Sequence, residues 1–518
     1  MQSRRVLLWV GALFVLALIA RLIPGPRTID DAFITFRYAR NLLAGNGFVF
    51  NPGERVLGTT TPLYSLLLAG IGIFSGGADA NFPALAWLAN AFADGLSVVL
   101  LVRIGQQLGA RWAGWGAGLA WAIAPFSVTF AIGGLETSVF VLLLLGCAWA
   151  YLAGRYTLSG GLAALSLLTR PDALLLILLL GADRAVLDVR RRGKPLTRGE
   201  FIAFGVPIFT WSAFSWAYFG SPIPQSLVAK AAAYLLEPGS ALVRLLQHYA
   251  TPYQGHLTLG LGWIRVGILL FPVLALIGGW RALRLRKESW PLAVYPWVYL
   301  TVFAVANPLI FRWYLTPPLP FYFLLIGLGL ESLLWMAVGR METNPPRKER
   351  LALVLAGALI LAAPFGLLLK DWQWRPDHGP DRPTPEMAWI ELELLYREAA
   401  EILTARIAES PGQPVLAASD VGVLGYFTDA LILDLVGLNS PETLSYYPLD
   451  KGDYGDFVYA VSTDLVLDKR PDYLVILEVY GRETLLRDGG FADLYTLIGR
   501  LETNIYGSED MLLFEKAQ

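Results

Sequence analysis

The sequence is poor in the residues that staple or charge a soluble domain. It holds a single cysteine among 518 residues, Cys147, inside the apolar run VLLLLGCAWAYLAG. That excludes an internal disulfide and leaves no metal-site spacing, so Cys147 reads as a small buried hydrophobe. Charge is scarce as well: 16% of residues are Asp, Glu, Lys or Arg, with 41 basic against 42 acidic and a net charge of −1. Without a basic field, nucleic acid is excluded as a partner. What fills the chain is apolar: 55% hydrophobic residues and a mean hydropathy of +0.51. A composition so far from the soluble average, roughly a quarter charged, places the chain in a membrane.

The first apolar stretch, Val6 to Ile23, follows Arg4 and Arg5 and precedes RLIPGPRTIDD, with no small-residue cleavage site. It therefore reads as an uncleaved span and not a signal peptide. Further stretches near the bilayer-crossing length of about 20 residues lie at 83–104, 112–131, 136–154, 158–170, 172–189, 200–219, 259–280, 290–306, 315–338 and 350–369. The expectation is a mostly α, polytopic bundle of about 11 spans. The piece from Pro62 to Phe74 is too short to cross and is assigned to an interface. With the amino terminus inside, the clusters Arg103/Arg111, Arg155, Arg184 to Arg198, Arg281 to Lys287 and Arg340 to Arg350 all fall on cytoplasmic turns. Trp112, Trp115 and Trp290 read as interface anchors. No charged residue is expected well inside a span, and no inverted repeat is evident, which argues against a transporter or flippase.

The segments left outside carry the remaining polar groups: the first loop at 24–82, the GGLET and TRPD turns, the loop from Gly220 to Leu257, the NPLIFRWY turn, and everything after Lys370. Polar groups collected on one face of a bundle line a site or a path. The first loop has Asp30 and Asp31 opening a helical stretch that ends before Gly45, with Arg37 and Arg40 about one turn apart. The pair has two readings. Either the carboxylates stand near the positive end of the helix dipole, or one is a general base with its pKa raised by its neighbour, beside cations that hold phosphate. Residues 371–518 change character: a helical pattern from Pro385 to Ala408 precedes strand-like PVLAAS, ALILDLV, DYLVILEVY and MLLFEK. The expected organisation is a membrane domain over 1–370 and a soluble extracytoplasmic α/β domain over 371–518.

The string DDAFITFRYARNLLAGNGFVFNPGERVLGTTTPLY, followed in order by GLETSVF, LLTRPDALLL, PIPQSLVAK, FRWYLTPPLP, SDVGVLGYFTDALILDLVGLNSPE and RPDYLVI, resembles the GT-C superfamily of polyprenyl-phosphate-sugar-dependent glycosyltransferases. It is most similar to the branch of terminal β-(1→2)-arabinofuranosyltransferases. The resemblance implies a catalytic base at Asp30 or Asp31, with Asp30 favoured. It further implies donor-phosphate contacts from Arg37, Arg40, Arg170, Lys230, Arg312 and Tyr314, and sugar contacts from Glu136 and Asp172. Each has a plainer alternative: Arg170 and Asp172 could neutralise one another, Glu136 could compensate a helix dipole, and Lys230 and Arg312 could snorkel to headgroups. The implied reaction is an inverting transfer of sugar from a polyprenyl-phosphate donor to a cell-envelope glycan or lipid acceptor, at the outer face of the cell membrane. Some members of the superfamily use a divalent metal ion near the acidic motif, and no ligand set is fixed here. Where the arabinosyl branch carries a stretch like EGYTNPLW, this chain has LGTTTPLY from Leu57 to Tyr64, which leaves arabinofuranose, another pentose or a hexose open. A flippase of lipid-linked sugars and a non-catalytic glycan-binding assembly protein stand as alternatives.

Overall fold

The computed structural model describes residues 2–188, 195–256, 258–339, 363, 365–388, 390–410 and 412–517. The chain divides into two compact units, neither continuous in sequence. Unit 1 is Met1–Arg27, Trp87–Phe209 and Gly239–Ala388; unit 2 is Thr28–Ala86, Thr210–Pro238 and Trp389–Gln518. The expected boundary after residue 370 thus falls within unit 1, and the first loop shares a unit with the tail.

Six described helices are long and apolar enough to cross a bilayer: Arg5–Leu22, Phe82–Gln107, Arg198–Phe219, Gly260–Leu285, Lys287–Ala306 and Arg312–Met336. A seventh span arises if Arg111–Ile123 and Pro125–Ile132, bent by 46° at their junction, count as one. Pro125 supplies the bend, since proline has no amide to continue the ladder. The expected 11 spans are therefore not reached among the described residues. Thr137–Leu152 and Tyr156–Thr169, at 16 and 14 residues, are cut short by the GGLET and TRPD turns. The 172–189 stretch is helical in three consecutive pieces, a 3-10 turn at Pro171–Ala173, an α-helix at Leu174–Ala182 and a π-helix at Asp183–Asp188, and the stretch at 350–369, like the basic clusters at 190–194 and 340–350, lies largely outside the described residues. Pro62–Gly72 is an 11-residue helix, shorter than a span, as its length foretold.

Helices in lipid gain nothing from burying apolar surface against each other, so close backbone approach through small residues has to hold them. Gly260–Leu285 and Leu319–Gly339 do this: a Cβ on Gly278 would lie 1.8 Å from the Leu325 carbonyl oxygen, and one on Gly329 would lie 2.0 Å from that of Leu274. Charge is also present at span depth, against expectation. Asp94, within Phe82–Gln107, is fully buried and accepts from Arg21 Nε at 2.9 Å, Trp121 Nε1 at 2.9 Å and Ser138 Oγ at 2.9 Å. Arg21 gives its other donors to Ser127 and to the carbonyls of Ala17, Trp121 and Ala122. An ion pair so fully bonded is tolerated in an apolar medium. Cys147 is buried beside Ser159, in keeping with a packed role.

Unit 2 is built on a five-stranded sheet. In chain order the strands are β1 (Val415–Ala418), β2 (Leu431–Asp434), β3 (Tyr473–Leu477), β4 (Tyr495–Glu502) and β5 (Asp510–Lys516), and across the sheet they run β2-β1-β3-β5-β4. β1 is parallel to both β2 and β3, whereas β5 is antiparallel to β3 and β4. β3 reads YLVIL and is buried at every residue, as a central strand covered on both faces requires. The helix Glu391–Glu409 realises the pattern expected from Pro385 to Ala408, with Leu392, Tyr396, Ala399, Ala400 and Leu403 on its buried face.

Candidate functional site

The residues singled out from the sequence fall on both units. On unit 2 the first-loop helix runs Asp30–Leu43, with both aspartates in its first turn. Ile29 is its N-cap, so neither carboxylate caps its own helix. Asp30 instead caps another: its Oδ1 accepts from Val423 N at 2.8 Å and its Oδ2 from Gly422 N at 3.0 Å, at the start of the short helix Gly422–Phe427. Arg37 reaches the far end of that helix, donating to the Gly425 carbonyl and, at 2.9 Å, to that of Ala430. Arg40 donates to the Tyr426 carbonyl at 2.7 Å and to Asp429 at 3.2 Å. A carboxylate at the amino end and guanidinium groups at the carboxyl end complement the helix dipole at both poles. Gly422 is required there, because a Cβ would lie 1.9 Å from the Asp30 carbonyl oxygen.

Asp31, next to the occupied Asp30, is partly exposed. Three further groups gather around it, none of them expected as site residues. Glu393 accepts from the Asp30 amide at 2.9 Å through Oε1, while its Oε2 is buried without a partner. Tyr396 donates to Asp420 Oδ2 at 2.6 Å, and Asp420 and Asp31 act on one another electrostatically. Burial pushes the Glu393 carboxyl up to about 8 and that of Asp420 up to about 6. Asp30 is raised as well, by burial first and by Asp420, against the lowering effect of the two backbone amides. Asp434, raised to about 6 by burial, spends its oxygens on the amides of Val436, Gly437 and Asn439 and so shapes the turn after β2. Lys230, on the helix Gln225–Ala233, is partly exposed.

On unit 1, Arg170 joins the members expected there. It binds Asp172 twice, at 2.9 and 3.2 Å, and Glu136 at 3.4 Å, and its guanidinium lies 4.9 Å from the centre of the Tyr314 ring. Tyr299 completes the group, donating its hydroxyl toward Asp172 at 3.0 Å and the Tyr314 carbonyl at 2.7 Å. Arg312 opens the turn Arg312–Leu315 and is partly exposed. Two residues the sequence reading passed over lie near it: burial, then Arg244, then Arg312 lower the pKa of His256. Two guanidinium groups acting on a neutral imidazole make a surface suited to an anion.

A family model described as a domain of unknown function (DUF8728) matches residues 386–514. A terminal β-(1→2)-arabinofuranosyltransferase of Mycobacterium tuberculosis is 32% identical over 232 residues, 39% of this chain and 35% of that protein. One of the same description from Corynebacterium glutamicum is 39% identical over 71 residues, 14% of this chain and 10% of that protein. The matched stretches thus span about a third or less of these relatives. Among solved structures, ArnT from Cupriavidus metallidurans bound to undecaprenyl phosphate superposes with a TM-score of 0.55 at 12% identity, covering 99% of this chain and 98% of that one. The Archaeoglobus fulgidus oligosaccharyltransferase superposes at 0.58 and 11% identity, over 98% of this chain and 74% of that one. The chain has the GT-C fold.

Within this GT-C fold, the local signals that reveal the first-loop helix could not reveal its partners. Glu393 and Tyr396 read as ordinary positions of an amphipathic helix, and Asp420 reads as part of the SDVG turn. Arg244 sits on an amphipathic helix whose charged face reads as solvated. Among the described residues, no group of three or more His, Cys, Asp or Glu side chains is arranged to hold a metal ion.

Proposed function

We propose that this chain is an integral membrane glycosyltransferase that moves a sugar from a polyprenyl-phosphate donor to a hydroxyl of a cell-envelope glycan or lipid, by inverting displacement at the outer face of the membrane. The observation that carries the reading is the division of labour at the paired aspartates. Asp30 has both oxygens committed to backbone amides, whereas Asp31 beside it is partly exposed. Asp31 is therefore assigned as the base and Asp30 as the group that fixes its position, reversing the preference taken from sequence.

In the proposed step Asp31 accepts the proton of the acceptor hydroxyl as its oxygen attacks the anomeric carbon. The bond from that carbon to the phosphate oxygen breaks on the opposite face, and polyprenyl phosphate leaves with the electron pair. Lys230, on the same unit as Asp31, supplies positive charge for the leaving phosphate, and Arg312 and Arg244 form a separate candidate anion surface on unit 1. Arg170 is already neutralised by Asp172 and Glu136, so its role is to hold Tyr314 and that acidic pair in place. Arg37 and Arg40 hold the tail through their terminal nitrogens, at Gly425, Ala430, Tyr426 and Asp429, and are given no phosphate. Arabinofuranose is the sugar suggested by the two curated relatives, and orientation follows from the basic cytoplasmic turns.

Asp94 reopens the transporter reading, because it is charged at span depth. Its complete satisfaction by Arg21, Trp121 and Ser138 assigns it to structure and leaves that reading without support. The test is to incubate purified protein with a panel of polyprenyl-phosphate pentoses and hexoses and a glycoside acceptor. Transfer by the wild type, lost in Asp31→Asn, is the expected result; a panel left wholly unconsumed refutes the proposal.

A further inference from the structure

We propose that Asp420 is a sugar-binding residue of the acceptor subsite, accepting a hydrogen bond from the hydroxyl next to the one that Asp31 deprotonates. The inference rests on the assignment of Asp31 as base and extends it to the recognition of the acceptor.

The topology is the first argument. β1 lies between β2 and β3 and is parallel to both, so the chain leaves the carboxyl end of β1 for one side of the sheet and later returns on the other. Such a switch point opens a crevice outside the carboxyl ends of the strands, where open α/β sheets bind ligands. Asp420 stands two residues beyond the end of β1, at that crevice.

Local geometry is the second. Asp420 is partly exposed, and among the described residues Tyr396 binds its Oδ2 at 2.6 Å while Oδ1 has no hydrogen-bond partner. The amides that Asp30 grips belong to Gly422 and Val423, so one clasp fixes both the Asp30–Asp31 corner and the Asp420 turn. Glu393, 7% exposed, is held by the Asp30 amide and acts electrostatically on Asp31 and Asp420, and its Oε2 is left unpaired. Glu393 Oε2 is thus a buried acid oxygen with hydrogen-bonding capacity to give to a hydroxyl of a polyhydroxy ligand, beside two partly exposed carboxylates. Tyr234, partly exposed and electrostatically linked to Asp31 and Asp420, adds a phenol face of the kind sugars pack on.

This set selects a chemical class. Carboxylates accept hydrogen bonds from hydroxyls and repel anions, so the acceptor is a neutral sugar with a hydroxyl adjacent to the reacting one. A phosphorylated or uronic sugar is excluded.

The groups facing Asp420 are Asp31 and Asp30 from the first-loop helix, Glu393 and Tyr396 from Glu391–Glu409, Asp434 from β2, Tyr234 and Tyr480. Burial brings the Asp420 carboxyl to about 6. Below that pH it gains a proton and loses its charge-assisted bond to the sugar.

The experiment uses the full chain in detergent, a polyprenyl-phosphate arabinofuranose donor, and two acceptors, octyl α-D-arabinofuranoside and its 3-deoxy analogue. Asp420→Asn raises the KM for the intact acceptor about tenfold, the worth of one charge-assisted hydrogen bond. It imposes no comparable penalty with the 3-deoxy analogue. The wild-type KM for the intact acceptor rises as pH falls through about 6, and that of Asp420→Asn does not. Tyr396→Phe, which removes a bond that favours the ionised form, moves the wild-type limb to higher pH and serves as the reporter should Asp420→Asn not fold. An unchanged acceptor KM in Asp420→Asn, an equal penalty on both acceptors, or a pH limb unmoved in Tyr396→Phe overturns the proposal. Failure of the wild type to transfer any sugar of the donor panel overturns the enzymatic reading itself, and this inference with it.

Discussion

Glu393→Gln tests the electrostatics of unit 2 without touching a reacting group. Glu393 is 7% exposed, and burial raises its carboxyl from an ordinary value near 4.5 to about 8. The folded protein therefore holds a proton on Glu393 between those limits, while the unfolded chain does not. Where the folded state binds more protons, stability falls as pH rises, by up to about 1.4 kcal/mol per pH unit. The favourable contribution is complete below the unfolded pKa and is lost progressively until pH passes about 8. Over the whole window the ceiling is about 5 kcal/mol, and relaxation and water entry bring the expected loss to about half of that. Glutamine keeps an oxygen for the Asp30 amide and carries no titrating proton. The assay is the thermal unfolding midpoint of detergent-purified protein from pH 5 to pH 9. For a unit of this size 1 kcal/mol is worth roughly 2–4 °C, so the wild type loses about 5–10 °C across the range relative to Glu393→Gln. Parallel curves for the two proteins would refute the reasoning.

The two first-loop aspartates separate cleanly. Asp30→Ala strands the amides of Gly422 and Val423 and costs about 2–4 kcal/mol, read as faster hydrogen exchange over residues 422–427; unchanged exchange there counts against the clasp. Asp31→Asn leaves that exchange and the melting point alone and lowers transfer by about 10²–10⁴-fold, measured as product formed per enzyme. Arg170→Met leaves Glu136 and Asp172 buried without their cation, at a cost of about 3–5 kcal/mol, and the triple change with Glu136→Gln and Asp172→Asn recovers much of the lost folded yield. Asp94→Ala removes the shared acceptor of Arg21, Trp121 and Ser138 at a similar cost, and size-exclusion profiles after mild heating will show it.

What the sequence made legible was local. The first-loop helix, the helix after Pro385 and strands β1, β2, β3 and β5 all announce themselves by periodicity and turn residues. β4 escaped because its side chains are mostly exposed and a bulge near Gly499 interrupts its register. Among the described residues fewer helices reach bilayer length than the hydropathy suggests, because hydropathy measures apolar length and not where a turn such as TRPD breaks it. The paired aspartates were legible as a feature but not in their surroundings, since the partners of Asp30 lie 392 and 393 residues away. The same distance hid the engagement of Arg37 and Arg40, whose donors go to carbonyls of a segment no local pattern ties to them.

That separation has a price in time. At ribosomal rates of roughly 5–20 residues per second, the first-loop helix waits roughly 20–80 s between its own synthesis and the arrival of Gly422 and Val423. Throughout, the apolar face that carries Phe33 and Phe36, later packed on Tyr426 and Phe427, has no tail to cover it. Maturation of this protein should thus depend on a holding factor on the side of the membrane where the loop emerges, and truncation anywhere before residue 422 should leave a chain that inserts but is cleared.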